Sequence, residues 1–417
     1  MEKNKEQTMK INPRSISRQI VELSKSFPCI MLTGARQTGK STLLKSMLPE
    51  GMGYVSLDDF RAVDEAKTDP IGFLEERGTP LCIDEIQYAP ELLRAIKLKV
   101  DAEPARMGMY WLTGSQRYRM MQGVAESLAG RVAILEMHTY SQAEAEGCGM
   151  EAKIFTPDAA ALRANADTSR NCTITDLYKR IWKGGYPALY SRPELKNAAY
   201  FTAYLQTYLE RDVRTLTQVG DLNAFGRLMV SAASRTGQQL VYSDIAKDAE
   251  ISVNTAKHWI SILEAGGIVH LLQPYHTNTS KRLAKTPKLY FMDTGLCCAL
   301  CGWNSAEVLQ NGAMNGALLE TWVYGQLYRS FSNEGLLPNI SYYRTGNGAE
   351  IDFILEQNGC IYPIEAKRSS SPKLSDLRAA NDIPTGKNEL KPGIVLCTAP
   401  ELIPLGKGNY GFPISAL

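Results

Sequence analysis

The chain has 417 residues, more than one hydrophobic core usually organises, so two to three domains are expected. The hydrophobic fraction of 44% and the charged fraction of 22% are those of an ordinary soluble protein. Lys and Arg number 46 against 44 for Asp and Glu, a formal charge of +2. This balance neither requires nor excludes nucleic acid as a partner, and any basic surface must be local.

Composition along the chain predicts a cytoplasmic protein without a membrane partner. No run approaches 18 apolar residues, and the opening "MEKNKEQTMKINPR" lacks the apolar stretch of a secretory signal. Several of the nine cysteines, such as Cys29, Cys82 and Cys397, lie in apolar strands, which is typical of reduced thiols. Cys298 and Cys301 form a CxxC with no second pair and no nearby His, so we interpret it as a buried apolar segment.

The first part of the chain alternates apolar strands with helical stretches, which predicts a parallel α/β domain over residues 1–145. Between the predicted strand "CIMLTG" and helix "KSTLLKSML" lies "GARQTGKS", which fits the phosphate-binding pattern GxxxxGK[ST]. Its glycines let backbone amides surround the β-phosphate of ATP, Lys40 neutralises the β- and γ-phosphates, and Ser41 is a ligand for Mg²⁺. The predicted nucleotide contacts are Gly34, Ala35, Arg36, Gln37, Thr38, Gly39, Lys40, Ser41 and Thr42.

A second acidic element supports the nucleotide site. "LCIDE" places Asp84 and Glu85 at the end of an apolar strand, where Asp84 is suited to Mg²⁺ and the nucleotide, and Glu85 to orienting or deprotonating water. "WLTGSQ" ends another strand at Ser115 and Gln116, candidates for sensing the γ-phosphate. "SLAGRVAI" offers Arg131 as an arginine finger, acting in cis or from a neighbouring subunit, or else as a surface ion pair.

Residues 146–215 are predicted to connect this domain to the rest of the chain. Residues 143–172 are rich in Ala and Asp with little apolar pattern, and are interpreted as an exposed excursion or linker. The following stretch, "AAYFTAYLQTYLERDVRTL", predicts a long amphipathic helix. Its apolar face would carry Tyr204, Leu205, Tyr208, Leu209 and Val213.

Residues 216–290 predict a helical, winged-helix-like domain. Two helices separated by a turn near 250–252 and followed by a Gly-Gly stop have helix-turn-helix spacing with a probable wing. Candidates for base contacts at the start of the second helix are Asn254, Thr255, Lys257 and His258. Candidates for phosphate contacts near the wing are Lys281, Arg282, Lys285 and Lys288, although such units also serve as packing lids or oligomer contacts.

Residues 312–417 predict a further α/β unit, and the whole chain is therefore predicted to be an α/β multidomain protein. A helix, "GALLETWVYGQLYRS", precedes the strands "ISYYRT", "EIDFILE" and "IYPIEAK" and a last strand "PGIVLCT". Asp352 and Glu365 lie thirteen positions apart, and Lys367 shares a strand face with Glu365. This is the arrangement of a metal-dependent nuclease core, or else a set of solvent-facing polar residues that alternate with apolar ones.

The motifs together resemble a group of prokaryotic AAA-superfamily P-loop ATPases. In this group a P-loop domain is fused to a C-terminal domain of unknown function with a restriction-endonuclease-like (PD-(D/E)xK) fold. The matching stretches span nearly the whole chain and are "LTGARQTGKSTL", "YVSLDD", "LCIDEIQ", "LTGSQ", "SLAGRVAILEM", "YLQTYLERDV", "YFMDTGL" and "YYRTGNGAEIDFIL…YPIEAK". The usual family loop has Pro at the position of Ala35, which supplies no phosphate ligand.

The resemblance implies roles for the C-terminal residues. In the nuclease fold that is resembled, Asp352 and Glu365 would hold one or two Mg²⁺ ions, joined by Glu320 from the preceding helix, and Lys367 would position water. Three functions stay open. They are an ATPase that acts on DNA, an ATP-gated nuclease, and a nucleotide-switched scaffold for protein partners; AAA-type relatives also often form homo-oligomeric rings.

Overall fold

The computed structural model of the chain describes residues 11–115, 127–166, 172–208, 221–278 and 286–417. The first elements are α1 (Ser17–Leu23), β1 (Cys29–Thr33), α2 (Lys40–Ser46), β2 (Gly53–Ser56), α3 (Phe60–Thr68), α4 (Pro70–Arg77), β3 (Leu81–Asp84), α5 (Leu92–Ala102), β4 (Tyr110–Thr113), β5 (Val132–Glu136) and α6 (Gln142–Ala145). Next come α7 (Ala159–Ala166), α8 (Ile174–Lys183), α9 (Ala188–Ser191), α10 (Asn197–Tyr208), α11 (Leu222–Ala233), β6 (Gln238–Gln239), α12 (Tyr242–Ala249) and α13 (Val253–Ala265).

The last elements are β7 (Val269–Leu272), β8 (Lys288–Phe291), α14 (Thr294–Leu300), α15 (Ala306–Asn311), α16 (Asn315–Ser332), β9 (Ile340–Arg344), β10 (Glu350–Gln357), β11 (Cys360–Ala366), β12 (Glu389–Leu390), β13 (Ile394–Cys397), β14 (Ile403–Gly406) and β15 (Asn409–Pro413). Short 3₁₀ segments lie at Ile86–Tyr88, Gly149–Glu151, Leu374–Asp382 and Ile414–Ala416. None of the described helices combines the length and apolarity needed to cross a bilayer.

The first five strands form a parallel sheet in the order β2-β3-β4-β1-β5. Successive side chains of a strand point to opposite faces, and β1 shows this clearly. Cys29 and Met31 pack with α3, α4 and α5, whereas Ile30 and Leu32 pack with α1 and α2. Both faces are therefore covered by helices, which explains why these strands are apolar runs rather than alternating ones.

The sheet order positions the candidate nucleotide site. In parallel strands the carboxyl ends share one edge, and ligands bind there where the strand order reverses. The segments after β1, β3 and β4 begin at Gly34, Glu85 and Gly114. Because β4 lies between β1 and β3, this edge carries the glycine-rich loop, the acidic strand end and Ser115 side by side.

The segment from α11 to β8 has the element order helix, strand, helix, helix, strand, strand. Its sheet is antiparallel in the order β6-β8-β7. The turn between α12 and α13 places Glu250 in the left-handed region, with φ of 57°, and Ser252 caps α13 by accepting from the Thr255 amide at 3.1 Å. Both helices and the turn agree with the predicted spacing.

The C-terminal strands form a mixed sheet in the order β14-β15-β13-β11-β10-β9, with β12 also paired to β11. β10 and β11 form an antiparallel hairpin, while β11, β13 and β15 run parallel. The apolar positions Ile351, Phe353 and Ile364 are buried as the alternation predicts. Glu365 is also buried, with 2% exposure, so it does not face solvent.

The described residues fall into two compact units. The first takes those of Met1–Ala152, Gly185–Lys196 and Ser332–Leu336. The second takes those of Lys153–Gly184, Asn197–Phe331 and Leu337–Leu417. The predicted middle domain and most of the predicted C-terminal domain thus lie in one unit, whereas Ser332–Leu336 belongs to the first. Side chains of β6 and β8 contact the C-terminal sheet: Gln239 donates to the Tyr342 hydroxyl at 2.9 Å, and the Tyr290 ring lies 6.1 Å from that of Phe353.

Local pattern missed three elements. The helix α7, with one buried residue, lies in the segment interpreted as an exposed excursion or linker, and two strands, β14 and β15, follow the predicted last strand. The predicted amphipathic helix is present as α10, with Tyr204 and Tyr208 buried. Leu209 and Val213 lie outside the described residues, as do Gln116, Lys281, Arg282 and Lys285.

Candidate functional site

The glycine-rich loop connects β1 to α2 through backbone that glycine permits. Gly34 has φ of 139° and Gly39 has φ of 95°, and a Cβ added to Gly34 would lie 2.1 Å from the carbonyl oxygen of Met137. Lys40 begins α2 with 5% exposure, and its Nζ donates to the carbonyls of Gly34 and Ala35, both at 2.9 Å. Thr38 Oγ1 also donates to the Ala35 carbonyl at 2.9 Å, so the loop closes around the ammonium.

The remaining loop residues lie where the pattern predicts. Arg36 is half-buried, Gln37 is exposed in the left-handed region with φ of 59°, and Thr42 is exposed on the first turn of α2. The ammonium of Lys40 is thereby held over backbone oxygens that a phosphate could replace as its partners.

The Asp84 carboxylate, at the end of β3, connects α2 with the neighbouring strands β2 and β4. Asp84 is 3% exposed, its Oδ1 accepts from Ser41 Oγ at 2.9 Å and from Thr113 Oγ1, and its Oδ2 accepts from the Tyr54 hydroxyl at 2.7 Å. Burial and this carboxylate raise the pKa of Tyr54 far above its ordinary value, so Tyr54 acts as a donor. Ser41 and Asp84 are hard oxygen donors side by side, which suits a Mg²⁺ ion held with nucleotide phosphates.

Glu85 follows Asp84 in a conformation that is rare for a residue with a side chain. Its φ of 59° and ψ of 45° lie in the left-handed region, at a cost of order 1–3 kcal/mol. The carboxylate accepts from Gln87 Nε2, and Ser115 Oγ donates to Glu85 Oε2 at 3.4 Å. The backbone turn therefore directs Glu85 away from Asp84 and towards Ser115, which brings together the two residues predicted to contact water and the γ-phosphate.

A cavity of about 200 Å³ opens beside the loop. The side chains and backbone that line it come from the loop, α2, the segment after β5 and the segment around α9: Ile11, Arg14, Gln37, Thr38, Gly39, Thr42, Leu43, Met137, Tyr140, Pro187, Ala188, Ser191 and Arg192. Apolar and aromatic walls with a few polar groups are typical of small-molecule sites.

Arg14 is a buried cation of this cavity that sequence reasoning missed. Its exposure is 3%, Nη2 donates to the His138 carbonyl at 2.5 Å, Nε lies 3.3 Å from Glu144 Oε1, and the guanidinium lies 4.7 Å from the Tyr140 ring centroid. Nη1 has no acceptor among the described residues. No short motif marks Arg14 or Tyr140. Tyr54 and Thr113 lie in the stretches "YVSLDD" and "WLTGSQ", but neither residue was predicted to belong to the site.

Arg131 is not brought to the loop. It directly precedes β5, at the opposite edge of the parallel sheet from Gly34. Its Nε lies 2.5 Å from Asp101 Oδ1 and its side chain is 35% exposed. Within one chain it therefore forms an ion pair, and a role as an arginine finger would require a neighbouring subunit.

The C-terminal acidic residues come together in the second unit, but each is engaged. Asp352 Oδ2 accepts from the Ala366 amide at 2.9 Å, and Glu365 Oε1 accepts from the Asp352 amide at 3.3 Å. Lys367 Nζ lies 2.7 Å from Glu365 Oε2, which agrees with the predicted shared face. Burial and the Asp352 charge raise the pKa of Glu365 to about 9.

Glu320 on α16 joins the same cluster through a lysine. Glu320 Oε1 accepts from the Tyr290 hydroxyl at 2.5 Å and from Lys288 Nζ at 2.9 Å, and Lys288 also contacts Glu350. Burial and Asp352 raise the pKa of Glu320 to about 7. Burial lowers the pKa of Lys288, but the neighbouring carboxylates outweigh burial and the net shift is upward.

The prediction that Lys288 meets DNA phosphates is wrong. Its exposure is 3%, and its ammonium contacts two carboxylates inside the unit. The error arose because Lys288 is close in sequence to the predicted wing, whereas its partners lie 32 and 62 positions further along the chain. Of the two CxxC cysteines, Cys298 is buried in α14 as interpreted, whereas Cys301, at the end of that helix, is half-buried.

Comparisons with known proteins give three family matches. Residues 26–146 match the family described as AAA domain, which supports an ATP-binding P-loop ATPase of the AAA type. Residues 174–307 match a Domain of unknown function (DUF8612), and residues 315–417 match a Domain of unknown function (DUF4143). The nuclease-like fold of the C-terminal residues and the winged-helix-like domain stay predictions.

Similar chains include proteins of two mycobacteria. The uncharacterised proteins Rv2008c of Mycobacterium tuberculosis and Mb2031c of Mycobacterium bovis are each 29% identical over 352 residues, which cover 84% of this chain and 72% of the relative. The Walker-type ATPase PABY2304 of Pyrococcus abyssi is similar in structure, with 14% identity and a TM-score of 0.43, over 70% of this chain and 98% of that chain.

The close approach at Gly34 predicts a sensitive position in the loop. Gly34→Ala should abolish detectable ATP binding, because the new methyl group would overlap the Met137 carbonyl and displace the loop. ATP affinity by calorimetry and the thermal midpoint of the full chain measure the effect. Gly226→Ala, on α11 where a Cβ meets no atom within 4 Å, is the matched control. Unchanged ATP affinity in Gly34→Ala would contradict the loop geometry.

The raised pKa of Glu365 predicts a dependence of stability on pH. The folded value of about 9 exceeds the ordinary 4.5, so the folded chain binds more protons than the unfolded chain between these values. This contribution to stability is complete at low pH and is lost as pH rises from about 5 to about 9. Denaturant unfolding of Glu365→Gln should lose less stability over this range than the wild type. The exposed substitution Glu401→Gln should follow the wild type, and parallel curves for all three proteins would contradict the assignment.

Proposed function

We propose that the chain binds and hydrolyses Mg-ATP and uses the nucleotide cycle to control a DNA-binding second unit. The observation that carries the first part is the convergence of Lys40, Ser41, Asp84, Glu85 and Ser115 at one edge of the parallel sheet. The AAA-domain match over the same residues supports it.

Each side chain of the site has a distinct role in phosphoryl transfer. The Lys40 ammonium exchanges its two carbonyl acceptors for β- and γ-phosphate oxygens, which it neutralises. Ser41 and Asp84 would hold Mg²⁺, which supplies neutralising charge when bound. Glu85 orients or deprotonates the attacking water, and Ser115, beside it, contacts the γ-phosphate. The nucleoside lies in the cavity lined by Tyr140 and Arg14.

Substitutions should separate ATP binding from hydrolysis. Lys40→Ala should lose ATP binding, whereas Glu85→Gln should bind ATP and hydrolyse it roughly 100-fold or more slowly, because general-base removal typically costs that much. Phosphate release and nucleotide affinity are the two measurements. Lys67→Ala, an exposed lysine of α3, should retain both activities. Wild-type hydrolysis by Lys40→Ala would refute the proposal.

The second part rests on the exposed face of α13. The order of elements from α11 to β8 and the β6-β8-β7 sheet support a winged-helix-like domain, in which α13 would be the recognition helix. Asn254, Lys257, His258 and Ser261 are exposed along α13, whereas Ala256, Trp259 and Ile260 are buried. An exposed polar stripe beside a buried apolar one is what a helix that enters a DNA groove requires.

Reversing a charge on this stripe should weaken DNA binding. Lys257→Glu should lower affinity for duplex DNA by about tenfold or more and reduce the dependence on salt, because one fewer counterion is released. Fluorescence anisotropy at two salt concentrations measures both effects. Lys407→Glu, the same charge change on the exposed turn between β14 and β15, should bind like the wild type. A wild-type chain whose DNA binding does not respond to lower salt would favour the protein scaffold instead.

A further inference from the structure

The acidic cluster of the second unit does not have the donor arrangement of a divalent metal site. In the described ranges of the chain, no three His, Cys, Asp or Glu groups are arranged to hold a metal ion. The carboxylates of Glu320, Asp352 and Glu365 each accept a hydrogen bond from the protein, and Glu320 and Glu365 each contact an ammonium as well. The oxygens that Mg²⁺ would need are thus partly satisfied from within the chain.

A buried ammonium takes a central place in this cluster. Lys288 is the first residue of β8, and its Nζ lies 2.9 Å from Glu320 Oε1 of α16 and in contact with Glu350 Oε1 of β10. Its side chain is 4% exposed, and those of Glu320 and Glu350 are 19% and 25% exposed. One ammonium therefore connects three elements that are distant in sequence.

The charges of the cluster nearly balance without an added ion. The cluster contains four carboxyl groups, two ammoniums and one guanidinium. The carboxyl groups are those of Glu320, Glu350, Asp352 and Glu365, and the ammoniums are those of Lys288 and Lys367. The guanidinium is that of Arg344, whose Nη1 lies 3.6 Å from Glu350 Oε2. A divalent ion beside Glu320 would meet the Lys288 ammonium at short range, where like charges repel strongly in a poorly hydrated site. Glu320 would therefore join a metal site only if the Lys288 ammonium left it.

We propose that Lys288 is the built-in cation of this cluster and replaces the divalent metal of a nuclease, so that the second unit is a metal-independent domain that does not cleave DNA. The ammonium instead fixes β8, the last strand of the winged-helix-like segment, to α16 and β10. Because β8 also pairs with β6 and β7, the ammonium connects the segment proposed above to bind DNA with the C-terminal sheet. The inference does not depend on ATP hydrolysis, and it can fail or hold irrespective of the ATPase proposal.

Metal binding by the full chain without nucleotide tests this directly. Mn²⁺ would be titrated into two proteins, Asp84→Asn and the double variant Asp84→Asn/Asp352→Asn. The shared Asp84→Asn change removes the metal ligand predicted at the nucleotide site. The expected result is the same Mn²⁺ binding in both members of the pair, and no Mn²⁺-dependent nicking of supercoiled plasmid by the wild type. Mn²⁺ binding or nicking that Asp352→Asn removes would overturn the proposal.

Removing the ammonium tests its role in the fold. Lys288→Met should lower the thermal midpoint by about 10 °C, because it removes the ammonium partner of two partly buried carboxylates. Glu320→Gln combined with Lys288→Met should regain part of that loss. With Asp84→Asn added to each protein to remove the metal ligand predicted at the nucleotide site, millimolar Mn²⁺ should raise the midpoint of Lys288→Met but not that of the protein that keeps Lys288. Lys367→Met, which removes a lysine that is 39% exposed, should cost less.

A midpoint of Lys288→Met equal to that of the wild type would also overturn the proposal. If Lys288→Met does not fold while the double variant does, rescue by neutralising Glu320 supports the pairing. The Mn²⁺ titration of Asp84→Asn and Asp84→Asn/Asp352→Asn decides between a metal site and a built-in cation whatever the folding of the Lys288 variants.

Discussion

The geometry of the candidate nucleotide site depends on the hydrogen bonds that the buried Asp84 carboxylate accepts. This carboxylate accepts from hydroxyl groups of Ser41, Tyr54 and Thr113, which belong to α2, β2 and β4. Hydrogen bonds to a charged group are worth about 1.5–3 kcal/mol each, and loss of a donor would leave a buried anion with fewer partners. The same contacts that stabilise the sheet edge therefore hold Ser41 and Asp84, the two proposed Mg²⁺ ligands, side by side.

Lys40 and Asp84 form a resting site whose charges are satisfied inside the protein. Lys40 donates to two loop carbonyls, and Asp84 accepts from three hydroxyls. A nucleotide would replace backbone oxygens with phosphate oxygens around Lys40, so the loop need not create a new charge pair in an apolar setting. The left-handed turn at Glu85 separates the acid that would orient water from the acid that would hold the metal.

In the second unit, the acidic residues contact lysine ammoniums, whereas Asp84 of the nucleotide site accepts from hydroxyl groups. The acidic cluster of the second unit is paired with lysines that come from β8 and from the end of β11, and it lies among buried aromatic rings such as Tyr290, Tyr324 and Phe353. Removing one partner of a buried ion pair destabilises a fold more than the intact pair stabilises it. The cluster therefore connects β8 to α16 and to β10 of the C-terminal sheet.

Motif spacing was informative wherever the interacting residues are close in sequence or share a strand. The loop from Gly34 to Ser41, the pair Asp84 and Glu85, and the pair Glu365 and Lys367 were all predicted from such local patterns. Local patterns could not tell that Glu365 is buried, because alternation gives the face of a strand but not what covers that face. They also could not find α7, whose eight residues include a single buried position, Leu162.

The sequence by itself determined the parallel α/β domain and the position of its glycine-rich loop between β1 and α2, because these depend on strand–loop–helix order within short stretches. The residues that would bind ATP and Mg²⁺ stay predictions. Only the tertiary structure decided which distant residues share a site. In the structure, the hydroxyl groups of Tyr54 and Thr113 donate to Asp84. Arg131 lies at the sheet edge opposite to the glycine-rich loop and contacts Asp101, and Lys288 contacts Glu320 and Glu350. Hydrophobic periodicity predicts which face of a helix or strand is buried. The charged residues that contact that face depend on how whole elements pack against each other.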